Sequence, residues 1–77
     1  MKDRQGKEIR KWMIDEELIV EEIARTVGVD KALVSRTIDG KRNNRKVLRF
    51  LVARKCPPQV MDLPADIDVD GILKEAA

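Results

Sequence analysis

Seventy-seven residues, 43% of them hydrophobic and 39% charged, make one domain that buries only about 60% of its unfolded surface, so its core is modest. There is no histidine, no tyrosine and only one cysteine, which removes several common general acids and bases, any internal disulfide and any zinc-type cysteine cluster; neither an enzyme nor a cofactor is expected. Residues 1–24 carry 5 basic and 7 acidic side chains, residues 25–55 carry 10 and 2, and residues 56–77 carry 1 and 5, so a block of +8 suited to a polyanion lies between two acidic ones.

Residues 1–6 carry charge but no apolar stretch, which predicts a flexible N-terminus and no signal peptide. A first helix is predicted over 7–15, with Ile9, Trp12 and Met13 on one face and Arg10 and Lys11 toward water. Trp12 lies on that apolar stripe, which favours a core role over stacking on a base. Glu16-Glu17-Leu18-Ile19 is a poor connector. The second helix is predicted over 20–27; Glu21 and Glu22 suit its N-terminal dipole but would repel nearby phosphates. Ala24 is small enough for two helix backbones to approach closely. Gly28 stands where the chain must leave the helix, and a left-handed residue there costs least as glycine. Val29 can plug the corner, and the Asp30 carboxylate is the expected N-cap of the next helix.

The third helix is predicted over 31–39. Val34 and Ile38 fall four apart and face inward, leaving Lys31, Ala32, Ser35 and Arg36 on the other face. Thr37 has the shape of valine, with a hydroxyl that can bond back to a carbonyl one turn earlier. Asp39-Gly40 stops the helix. The arrangement is that of a helix-turn-helix, whose second helix enters the DNA major groove. Lys41-Arg42-Asn43-Asn44-Arg45-Lys46 then forms a basic loop with Asn44 as N-cap. Arg45 and Lys46 sit badly in a first helical turn, where the dipole favours acids; a phosphate at that helix end would remove the conflict.

The fourth helix is predicted over 45–55, with Val47, Leu48, Phe50, Leu51 and Val52 giving a wide apolar surface and Arg49, Arg54 and Lys55 outside. Pro57-Pro58 prevents its continuation. Cys56 has no histidine to activate it and is expected to be inert. Residues 59–64 are expected to form a short turn that folds Val60 and Leu63 back on the core. Asp66-Ile67-Asp68-Val69-Asp70-Gly71 has the spacing of an EF-hand start, but position 12 is Ala77 where glutamate is required and Pro64 precludes an entering helix. No metal is therefore expected, and residues 65–77 read as an acidic tail, free or folded against the basic face as a phosphate mimic, with a final turn at 71–76.

Ala24, Gly28, Val29, Val34-Ser35-Arg36 and Ile38-Asp39-Gly40-Lys41 resemble the helix-turn-helix of lambda-repressor/Cro-type regulators, and the flanking Ile9, Trp12 and Pro57-Pro58 resemble small regulators of Mu-like phages and prophages. The resemblance covers roughly residues 7–64. That family usually has glycine near Glu17, Ser or Thr near Ile19, and a phosphate-touching glutamine at the position of Val20; this chain has none of the three, and that contact is not carried over.

The resulting expectation is an all-α bundle of four to five helices, with a flexible start at 1–6, a DNA-binding domain at 7–64 and an acidic tail at 65–77. Its partner would be double-stranded DNA, bound in sequence-specific fashion by a cytoplasmic phage-type transcriptional regulator. Lys31, Ala32, Ser35 and Arg36 are the base-reading candidates, Arg36 favouring guanine O6 and N7. Lys41, Arg42, Asn43, Arg45 and Lys46 would hold phosphates. The alternatives are a protein-interaction module docking through the fourth helix, and an accessory domain of a recombination or transposition system. Surplus apolar side chains on and after the fourth helix suggest a weak homodimer, formed in solution or only on DNA. No run approaches the ~20 apolar residues of a membrane span.

Overall fold

A computed structural model describes residues 4–76. Among them are five α-helices, α1 (Gly6–Asp15), α2 (Val20–Val27), α3 (Lys31–Ile38), α4 (Arg45–Ala53) and α5 (Val69–Ala76), with one 3-10 turn at Pro58–Val60 and no strand. The fold is therefore all-α. No helix among the described residues is long and apolar enough to cross a membrane.

The helices follow the apolar period. Ile9 and Met13 of α1, Ile23 and Ala24 of α2, Val34 and Ile38 of α3, and Val47, Leu48, Leu51 and Val52 of α4 all converge on one core. The radius of gyration, 11.3 Å, matches the ~11.5 Å of a compact chain of this length. Trp12 packs half-buried against the core edge. Thr37 is fully buried and its hydroxyl donates to the Leu33 carbonyl at 2.7 Å, which satisfies the one polar atom it brings inside.

The first four helices end alike. In each, a residue at positive φ turns the chain back so that amides beyond the helix reach its last free carbonyls. After α1 this residue is Glu17, at φ 57°, with Leu18 N–H donating to the Met13 carbonyl at 2.8 Å. After α2 it is Gly28, at φ 76°. After α3 it is Gly40, at φ 85°, with Lys41 N–H donating to the Arg36 carbonyl at 2.9 Å. After α4 it is Lys55, at φ 71°, with Cys56 N–H donating to the Leu51 carbonyl at 3.0 Å.

Both ends of the chain differ from the sequence reading. The flexible start does not extend through residues 4–6; the expectation for residues 1–3 lies outside the described residues. Gln5 N–H donates to the Val60 carbonyl at 2.9 Å, and Arg4 is only 8% exposed. At Gly6, α1 comes so close to the end of α3 that an added Cβ would stand 3.2 Å from the Ile38 carbonyl oxygen. The segment 65–77 is not a bare acidic tail either. Ile67 is buried, α5 packs on α4, and Val69, Ile72 and Leu73 lie half-buried against the core. The surplus apolar surface of α4 is thus covered by the chain's own C-terminal helix. In the turn at 58–60 the buried anchor is Met61, with Val60 and Leu63 only partly covered.

Candidate functional site

The α2–α3 pair positions the site. Gly28 closes α2, Val29 lies half-buried in the corner, and α3 begins two residues later. Asp30 is the N-cap of α3 by backbone conformation, but its carboxylate makes no capping hydrogen bond, contrary to expectation. Burial of Val34, Thr37 and Ile38 orients α3. That leaves Lys31, Ala32 and Arg36 exposed and Ser35 half-exposed, so the four candidate base-reading residues lie on the outward side of one helix.

Directly after α3 comes the basic link. Lys41, Arg42, Asn43, Arg45 and Lys46 are all exposed. Asn44 caps α4, its side-chain oxygen accepting from Val47 N–H at 3.0 Å. The exposed residues of α3 and the candidate phosphate-holding residues therefore follow one another directly along the chain. Among the described residues, Lys31, Arg36, Lys41, Arg42 and Lys46 form no ion pair.

Arg45 is different. Its Nε and Nη2 donate to the two Asp66 carboxylate oxygens at 3.1 and 3.2 Å, and its Nη1 donates to the Asn43 carbonyl at 2.9 Å. The acid missing from the first turn of α4 is thus supplied from residue 66 of the same chain. The hydrogen bond from Arg45 holds the Asp66 carboxyl below its ordinary range, and the same bond raises the Arg45 pKa. Both side chains are about half exposed, at 46% and 56%, so the pair is screened by solvent and contributes little to stability.

The residue that sequence reasoning missed is Arg4. Its guanidinium lies beneath the basic link with all five N–H groups engaged. Nε donates to the Met61 carbonyl. Nη1 donates to the Thr37 and Arg42 carbonyls at 2.7 and 2.9 Å. Nη2 donates to Asn43 Oδ1 at 2.7 Å and to the Asp62 carbonyl at 3.2 Å. Burial lowers the Arg4 pKa, while the charge of Asp62 opposes that shift. The only local signal was a charged residue ahead of the first apolar repeat, which by itself reads as a solvated terminus.

Cys56 is buried, and desolvation pushes its thiol up to about 11, far from a nucleophile's range. In the EF-hand-like segment, Asp66 is taken by Arg45, and Asp68 accepts from Gly71 N–H at 3.1 Å at the start of α5. Among the described residues no group of three His, Cys, Asp or Glu side chains is placed to hold a metal ion. Arg10 faces water as expected, at 42% exposure, and also pairs with Asp39 at 3.1 Å, which ties α1 to the end of α3.

Comparison with protein-family models, with curated protein sequences and with solved structures gives no match to this chain.

Proposed function

We propose that this chain is a sequence-specific binder of double-stranded DNA, with α2 and α3 acting as a helix-turn-helix of the lambda-repressor/Cro kind and α3 lying in the major groove. One observation carries the reading. The outward side of α3, with Lys31, Ala32, Ser35 and Arg36, runs directly into exposed Lys41, Arg42, Asn43 and Lys46, and the five lysines and arginines in this set have no carboxylate partner among the described residues. A helix face of mixed polar and small residues reads base edges, and an adjoining basic loop holds the backbone in register. The acidic side chains of α2, Glu21 and Glu22, favour an approach led by the later part of the pair.

A phage-type transcriptional regulator in a bacterial cytoplasm is the setting this reading implies. Docking of another protein through α4 is less favoured, because Val47, Leu48, Leu51 and Val52 are buried in the chain's own core and α5 packs on α4, leaving Phe50 only partly covered. The same packing leaves a homodimer only the partly buried Phe50, Val60, Leu63, Val69, Ile72 and Leu73 as apolar surface from that region. Two copies on DNA would instead be set by half-sites about one helical turn, ~34 Å, apart.

The test is selection of bound duplexes from a random library, followed by titration of the selected and a scrambled duplex. Arg36→Ala is expected to weaken the selected duplex by ~1–3 kcal/mol and relax preference at one position, while Lys46→Ala weakens both duplexes alike. No enriched sequence, or an Arg36→Ala loss equal on both duplexes, would overturn α3 as the reading helix.

A further inference from the structure

We infer that Arg4 is a positioning residue for phosphate binding: from beneath the 41–44 link it fixes which polar groups that link presents to DNA. The inference rests on the DNA reading given above. Arg4 cannot itself hold a phosphate, because it is 8% exposed and each of its five donors has an acceptor within the chain.

What Arg4 does to the link follows from those acceptors. The Thr37 carbonyl is one of the last of α3, at the negative end of the helix dipole. A phosphate approaching Lys41 and Arg42 would meet that negative end, and the Arg4 charge offsets it. The Arg42 carbonyl is drawn inward to the same guanidinium. Most specific is Asn43. Its Oδ1 accepts from Arg4 Nη2, so the amide nitrogen is the part of that exposed side chain left for an outside partner. Arg4 thereby selects the donor end of Asn43, the end that suits an anion.

Two variants of the full chain separate this role from simple support of the fold. Asn43→Asp gives Arg4 a carboxylate in place of an amide oxygen, a charge-assisted bond, but removes the outward donor and adds negative charge to the link. Its melting temperature is expected to rise by a few degrees while its affinity for a short duplex of arbitrary sequence falls about tenfold. A residue that only supports the fold would move stability and affinity together. Arg4→Ala is compared with wild type at a temperature where circular dichroism reports both fully folded. Its affinity is expected to fall about tenfold, and the slope of log K against log salt to flatten by about 0.9 for each phosphate no longer neutralised, although Arg4 touches none.

If Arg4→Ala does not fold, Asn43→Asp carries the test alone. Unchanged affinity and salt slope in folded Arg4→Ala, or unweakened binding by Asn43→Asp, would overturn the inference while leaving the DNA reading in place. Wild-type protein that binds no duplex at about 50 mM salt would overturn both.

Discussion

Two links in this molecule solve the same problem with opposite materials. Residues 16–19 carry the chain from α1 into α2, and residues 39–44 carry it from α3 into α4. Each leaves its helix through a residue at positive φ and enters the next through an extended N-cap. In the first link the left-handed residue is Glu17, the N-cap is Ile19 with no capping side chain, and Ile19 is 54% exposed. In the second, the same places hold Gly40 and Asn44, the cap bond is formed, and Arg4 gathers the carbonyls. The first link is acidic and the second basic. Side-chain capping and buried hydrogen bonds are thus concentrated in the link that adjoins the candidate DNA surface, while the first link is held mainly by burial of Leu18 within it and of Ile23 in the helix that follows.

The contrast breaks most sharply at Arg4. Arg4→Ala leaves several carbonyls without a donor beneath the second link, and a loss of about 2–4 kcal/mol is expected in denaturant unfolding. A loss below ~0.5 kcal/mol would mean that water replaces the guanidinium and the second link is no better fixed than the first.

The two glycines sharpen it next. At Gly28 an added Cβ has no atom within 4 Å, so Gly28→Ala meets only the cost of positive φ, about 1 kcal/mol. At Gly40 the added Cβ would also stand 3.2 Å from Arg4 Cβ, and Gly40→Ala should cost about 2 kcal/mol. Equal losses in thermal melts would show that Arg4 yields easily. The first link responds in the other direction. Ile19→Thr supplies the missing cap and Glu17→Gly relieves the left-handed residue, each stabilising by about 0.5–1 kcal/mol. If neither raises the melting temperature, the link is already as well ordered as its chemistry allows.

The smallest effect concerns Asp66. Its carboxyl is depressed in the folded protein by Arg45, so its contribution is present above the ordinary value of 3.8 and is lost as the pH falls through the lower folded value. Asp66→Asn removes that acid-side dependence, which melts at successive pH values would detect. It also frees Arg45, and affinity for DNA of any sequence is expected to rise about two- to fivefold. A fall in affinity would show that Asp66 holds Arg45 in place rather than competing for it.

What could be read in the sequence was whatever is decided within one or two turns. The bounds of α2, at 20 and 27, follow from Ile23, Ala24 and the glycine at 28. The Asn44 cap and the Thr37 back-bond are contacts three and four residues long, and both are present. What could not be read was decided across the chain. Nothing near Arg4 announces acceptors at 37, 42, 43, 61 and 62. Met61 sits in the short run Val60-Met61-Asp62-Leu63 between prolines and Ile67 stands between two aspartates, with no helical period to betray their burial. Three aspartates and a glycine made α5 look like a tail, because the apolar faces that hold it belong partly to α4. For the candidate site, the residues of α3 and the link were legible as an exposed set, and a tail folded on the basic face was one of two expectations, but which acid would meet which base, Asp66 on Arg45, was not legible.

The reach of Arg4 also bears on the order in which the protein assembles and comes apart. Its hydrogen bonds span 33 to 58 positions along the chain, and its partners sit on segments that must already have met. Contacts of such separation are closed late, after the entropy of the intervening chain has been spent on packing α2, α3 and α4. Arg4→Ala should therefore leave the folding rate almost unchanged and accelerate unfolding, giving a φ-value near zero in stopped-flow kinetics. On that footing the fourth residue acts as a latch: it does little to start the fold and sets how long the fold lasts.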